Sequence, residues 1–95
     1  MRRRNILIWQ IEFSETAVKQ LKKIDKNTSK RIIDFFRVRI AKTDNPRNIG
    51  KALTGPLGNF WRYRVGDYRI ICDIQDNNFV ILILKVANRN EVYRK

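Results

Sequence analysis

Phe60-Trp61-Arg62-Tyr63-Arg64-Val65-Gly66-Asp67-Tyr68-Arg69-Ile70-Ile71-Cys72-Asp73-Ile74 alternates at period two on both sides of a Gly-Asp pair, and Gly-x is the chemistry of a two-residue β-hairpin turn. With Gly66 and Asp67 as the turn, Val65 pairs with Tyr68, Arg64 lies across from Arg69, and Arg62 lies across from Ile71. Trp61, Tyr63, Ile70 and Cys72 then face a core, while three guanidinium groups project from the other side of one hairpin. Like charges directly opposed across two strands cost about 0.2–1 kcal/mol relative to a neutral pair, so the arrangement asks for an anion. Guanidinium forks match phosphate oxygens in bidentate geometry, which makes a phosphodiester backbone a partner these side chains suit. The competing reading is that the long arginine stems splay apart and stay solvated.

Downstream of the hairpin, Asp76-Asn77-Asn78 supplies a second turn, and Phe79 to Leu84 is continuously apolar, as expected of an interior strand covered on both faces. Upstream, residues 6–13 read as a first strand with Leu7, Trp9, Ile11 and Phe13 on one face. Ser14 is a good N-cap for a helix, and Phe13 can pack on Val18 as a hydrophobic staple. Ala17, Val18, Leu21 and Ile24 share the apolar face of that helix. After a break at Asp25 to Asn27, Thr28 or Asn27 caps a second helix with an apolar stripe of Ile32, Ile33, Phe35, Phe36 and Ile40. Asp44-Asn45-Pro46 ends it, and residues 47–59, with Gly50, Gly55, Pro56 and Gly58, read as an extended loop. The expectation is one α+β domain over residues 1–95, in the order β-α-α-β-β-β, with a helical hairpin packed on a mainly antiparallel four-stranded sheet.

Composition narrows the chemistry. Twenty-one Lys and Arg against nine Asp and Glu give a net charge of +12 on 95 residues, a field that attracts polyanions. Nucleic acid is the leading partner class, with anionic lipid or a merely solvated basic surface as alternatives. Arg2, Arg3 and Arg4 resemble the start of a signal peptide, but the apolar run Ile6 to Trp9 is too short for its hydrophobic region, and no segment is long enough to span a bilayer. Cys72 is the only cysteine, which excludes an intramolecular disulfide and a thiolate metal site and makes a reducing cytoplasm the natural compartment. It reads as a buried, inert thiol. There is no histidine, so acid–base chemistry must run on Lys, Arg, Tyr, Asp, Glu or water. Trp9, Trp61, Tyr63 and Tyr68 fall on the core face, leaving Phe60 as the better base-stacking candidate. Lys22, Lys23, Lys26, Lys30 and Arg31 cluster around the helical turn, where a solvated face is the default and a second RNA contact the sharper reading.

The run from Trp61 to Ile71, preceded by Lys51-Ala52-Leu53-Thr54-Gly55 and followed by Val86-Ala87-Asn88-Arg89-Asn90-Glu91-Val92-Tyr93-Arg94, resembles the RelE/ParE toxin superfamily, with the ending closer to the RelE branch. That resemblance implies a toxin of a bacterial type II toxin–antitoxin pair, a ribosome-dependent mRNA endonuclease acting in the A site, with no cofactor, metal or membrane involved. Cleavage would be transesterification by the 2′-OH, which restricts it to RNA. Its partners would be the ribosome, mRNA and a cognate acidic antitoxin. The family's catalytic positions map to Arg62, Arg64, Arg69, Arg89 and Tyr93, and Lys51 and Arg94 join the arginines in holding RNA. Arg69 and Arg89 would stabilise charge on the scissile phosphate. The chain departs from some relatives by carrying arginines at 62 and 64 in place of lysines, and from many by Asn88 in place of a histidine. Glu91, Asp73, Lys51 and Lys85 are the titratable substitutes. The rival readings are a ParE-like, non-enzymatic inhibitor of DNA gyrase and an inactive basic RNA-binding module.

Overall fold

The computed structural model describes residues 8–53 and 59–88. Strand β1 (Gln10–Phe13) leads into helix α1 (Glu15–Lys22) and helix α2 (Lys26–Asp34), which continues as a π-helical turn over Phe35–Ile40. A 3-10 turn (Pro46–Asn48) precedes β2 (Lys51–Ala52), and then come β3 (Trp61–Val65), β4 (Tyr68–Gln75), a second 3-10 turn (Asp76–Asn78) and β5 (Val80–Asn88). The sheet order is β1-β5-β4-β3-β2. β1 runs parallel to β5 and every other pairing is antiparallel. The expected α+β class and element order hold, with two differences at the edges.

The first difference is a fifth strand. The stretch expected as one loop contains both the Pro46–Asn48 turn and β2, whose Lys51 pairs with Arg62 and Ala52 with Trp61. Side chains of β3 hold it there: the Trp61 indole N–H donates to the Ile49 carbonyl at 2.6 Å, and the Tyr63 hydroxyl donates to the Pro46 carbonyl at 2.6 Å. The second difference is at β1, where the paired residues among those described are Gln10–Phe13. Ile8 and Trp9 lie outside the ladder, with the Trp9 N–H donating to Ala41 at the end of the helical layer. Leu7 lies outside the described residues.

Caps set the helices. Ser14 is extended and its Oγ accepts from the Ala17 N–H at 3.0 Å, as the sequence suggests. The second cap is Asp25, neither Asn27 nor Thr28. Its carboxylate accepts from the Thr28 N–H at 3.1 Å, a charged acceptor placed at the positive end of a helix, and hydrogen bonding from the Thr28 side chain first and its N–H second holds the Asp25 carboxyl below its ordinary range. Ser29 Oγ donates to the Leu21 carbonyl at 2.6 Å and ties the start of α2 to the end of α1.

The helices cover one face of the sheet. Ile32, Phe36 and Ile40 from the helical layer are buried with Tyr63, Ile70, Cys72, Ile81 and Ile83 from the sheet. The Phe36 ring meets Tyr63 edge-on with centroids 5.4 Å apart, a preferred aromatic geometry. Trp9 and Tyr63 are core residues, and Trp61 and Tyr68 pack against the core half-buried.

A bulge shapes β5. Ile71 pairs with Lys85 while Cys72 pairs with Ile83, so Leu84 is the extra residue. Its carbonyl accepts from Ser14 Oγ at 2.9 Å. Further along, where β1 has ended, the Val86 N–H donates to the Gln20 side chain of α1 at 2.6 Å. α1 thus satisfies backbone groups of β5 that would otherwise be buried unpaired.

Candidate nucleic-acid interface

The β3–β4 register is the one the alternation predicts: Val65 with Tyr68, Arg64 with Arg69, Tyr63 with Ile70, Arg62 with Ile71. Gly66 has φ +58° and Asp67 does not share its positive φ, the pattern of a turn with glycine at the first central position. Tyr63, Ile70 and Cys72 are completely buried. Their sequence neighbours Arg62, Arg64, Arg69 and Ile71 therefore occupy the face away from the helices.

Depth separates the three arginines. Arg64 is exposed, Arg62 is half-buried, and Arg69 is only 6% exposed. The expectation of three projecting guanidinium groups is thus corrected at Arg69. Alternation assigns a face, but whether a side chain on that face stands free depends on what packs over it.

Two cross-strand rows organise the face. One is Arg64, Arg69 and Ala87; the other runs across four strands as Lys51, Arg62, Ile71 and Lys85. Lys85 reaches this row through the bulge. With Cys72 opposite Ile83, simple alternation would bring Lys85 opposite Ile70 and into the core; the extra residue Leu84 returns it to the arginine face. The break in alternation at Ile83-Leu84-Lys85-Val86 is the sequence signal for it.

Gly50, Lys51, Arg62 and Arg64 line a cleft of about 240 Å³. Gly50 adopts φ +82°, and a Cβ there would collide with the Arg62 carbonyl oxygen and stand 2.8 Å from the Trp61 indole nitrogen and 2.9 Å from the Tyr63 ring. Only glycine lets this backbone lie so close to β3. Asp73 accepts from the Gln75 amide at 3.1 Å. Phe60 is half-buried beside the hairpin. Cys72 is no nucleophile: burial pushes its thiol up, and so keeps it protonated. Arg89, Glu91, Tyr93 and Arg94 lie outside the described residues.

On the helical side, a groove of about 320 Å³ is lined by Phe13, Val18, Leu21, Lys22, Ser29, Ile33 and Arg37. Its lining is mostly apolar, with two cations, Lys22 and Arg37. Phe13 and Val18, the expected staple pair, both contribute to its wall.

The architecture matches solved toxin structures. The chain is similar to a chain of the RelBE2 toxin–antitoxin complex from Mycobacterium tuberculosis, with 25% identity, a TM-score of 0.80, and coverage of 90% of this chain and 95% of that one. It is similar at 30% identity, with a TM-score of 0.67, to a chain of the archaeal RelE–RelB complex from Pyrococcus horikoshii OT3, covering 86% of this chain and 96% of that one. A helical pair packed on a five-stranded sheet is, then, the plan of a RelE-like toxin. In sequence, Toxin RelG of Mycobacterium tuberculosis is 26% identical over 87 residues, 92% of this chain and 98% of its own. The family model described as the ParE toxin of the type II toxin–antitoxin system, parDE, matches residues 11–93, and the chain belongs to that family, within the RelE-like toxin superfamily.

Proposed function

We propose that this toxin is a ribosome-dependent endoribonuclease that cleaves mRNA in the A site by attack of a 2′-OH on the adjacent phosphate. The observation that carries the reading is the cationic face itself: Arg64 directly opposite Arg69, and Lys51 directly opposite Arg62, beside one cleft. Opposed cations of this kind are stabilised by a polyanion lying between them. A cation packed into the sheet face, as Arg69 is, has little freedom left to lose when negative charge develops on a phosphate beside it. Arg62 and Arg64 hold the backbone of the message, and Arg89 and Tyr93 complete the site from the chain that follows β5. Lys51 and Arg94 add contacts to the RNA backbone.

An acidic, partly helical antitoxin is the partner that suits the α1–α2 groove, since its lining offers the apolar side chains Leu21 and Ile33 together with the cations Lys22 and Arg37. The protein would act in the cytoplasm, where ribosomes and antitoxin are found. The test is cleavage of a defined mRNA in a translating cell-free system, with 5′ ends mapped by primer extension and naked mRNA as the control. Cuts restricted to translated message are expected, and Arg69→Ala should reduce them about 10²–10³-fold. Undiminished cleavage by that variant removes Arg69 from the chemistry.

A second reading rests on the ParE description of the matching family model: a non-enzymatic inhibitor of DNA gyrase. Intact mRNA together with poisoned gyrase in a plasmid supercoiling assay would select it.

A further inference from the structure

We propose that Lys51 is the general acid of the cleavage reaction, donating the proton that the departing 5′-oxygen requires; this rests on the endoribonuclease reading above. Among the described residues, the cleft is lined by Lys51, Arg62 and Arg64 around Gly50. Guanidinium groups stabilise a phosphate but do not release a proton near neutral pH, whereas an ammonium group can give one up and recover it. The chain has no histidine to do so, Cys72 is buried in the core, and the Tyr63 hydroxyl is committed to the Pro46 carbonyl. Asp73 lies on the β4 segment that pairs with Leu82, toward the opposite end of β3 from Arg64, and Lys85 stands two strands from Arg62, beyond Ile71, and does not line the cleft.

Placement supports the assignment. Lys51 is the direct cross-strand partner of Arg62, so the two side chains leave the sheet on the same face, and Lys51 is exposed on a two-residue edge strand. The positive φ of Gly50 and its close approach to β3 fix where that strand sits. A phosphate held by Arg62 and Arg64 therefore has the Lys51 ammonium on its edge-strand side.

The step balances as follows. The 2′-oxygen forms a bond to phosphorus and its proton passes to water; the bond from phosphorus to the 5′-oxygen breaks, and that oxygen takes a proton from the Lys51 ammonium. The products are a 2′,3′-cyclic phosphate and a free 5′-hydroxyl. The neutral amine regains its proton from solvent.

The decisive experiment replaces the scissile 5′-oxygen of a ribosome-bound mRNA with sulfur, because a thiolate departs without protonation. Lys51→Ala and Lys51→Arg should both slow cleavage of the oxygen substrate by about 10²–10⁴-fold. Both should cleave the sulfur substrate within about tenfold of the unaltered protein, a rescue that loss of binding or folding cannot produce. Arg64→Ala should slow both substrates alike. Equal slowing of both substrates by Lys51→Ala, or full activity of Lys51→Arg on oxygen, overturns the assignment. If the unaltered protein cuts neither substrate on translating ribosomes, the endoribonuclease reading fails and Lys51 loses its role with it.

Discussion

Tyr63 is wholly buried and yet carries a hydroxyl, which donates to the Pro46 carbonyl seventeen residues away at 2.6 Å. Burial pushes its phenol up, so it remains a donor across the whole working pH range. Tyr63→Phe keeps the ring contacts with Phe35 and Phe36 but leaves a buried carbonyl without its donor. It should cost about 1–3 kcal/mol in urea unfolding with an unchanged m-value. The inward direction of Tyr63 is legible in the sequence because alternation along Trp61-Arg62-Tyr63-Arg64 permits no other. Its partner is not, since Pro46 sits in a stretch with no hydrophobic period to place it. Arg69 divides in the same way: its face is readable from period two, but its depth is a property of what packs over it.

Among the elements, the two-residue β2 depends most on a single backbone position. Gly50→Ala would force a positive φ on a residue with a Cβ and drive that carbon into the Arg62 carbonyl. The expected result is a loss of about 1–3 kcal/mol in thermal unfolding, and cleavage reduced more than stability alone accounts for, because Lys51 moves away from Arg62. Near-normal unfolding and activity would mean that β2 does not fix the cleft.

The 3-10 turn before β2 is pinned separately. Arg47 binds Asp76 of the β4–β5 turn through two parallel hydrogen bonds of 2.8 and 2.9 Å. Those bonds hold the Asp76 carboxyl below its ordinary value of 3.8. The folded state therefore favours the ionised form more than the unfolded chain does. The stabilisation is complete above pH 3.8 and is lost as pH falls through the lowered folded value. Both side chains are well exposed, so Asp76→Asn should cost under about 1 kcal/mol at pH 7, with the difference between variant and parent vanishing in acid. These anchors escaped the sequence reading because glycine and proline between residues 46 and 58 signal a loop equally well whether or not a strand hides in it. The helix caps were half legible: Ser14 stands alone before its helix, whereas Asp25, Asn27 and Thr28 are all competent caps and only the backbone chooses among them.

At the scale of the whole molecule, the net charge of +12 sets how binding responds to salt. If Lys51, Arg62, Arg64 and Lys85 each meet a phosphate, the logarithm of single-stranded RNA affinity should fall with the logarithm of salt concentration at a slope of about −3. Each alanine substitution should make it shallower by about 0.7. Fluorescence anisotropy with a short oligonucleotide measures this, and a slope unchanged in Arg64→Ala would remove that residue from the interface. The register of the central hairpin was readable from its turn, and composition points to an anionic partner. The inclusion of Lys85 follows from the bulge at Leu84, which moves every later residue of β5 to the other face and whose one trace in the sequence is the break in alternation at Ile83-Leu84-Lys85-Val86.

The sheet order carries a consequence for assembly. β1 pairs along its length with β5 alone, joining Gln10 to Val80 and Phe13 to Ile83, so the earliest described strand has no neighbour until the latest one is made. A ribosome translating this protein would hold an incomplete sheet until β5 clears the exit tunnel, because neither α1 nor the central hairpin can stand in for it. Closing so long a loop makes the parallel pairing an intrinsically slow, late event. Completion of the sheet thus waits on synthesis of β5, and a chain cut short before Val80 would lack the strand that joins β1 to the central hairpin.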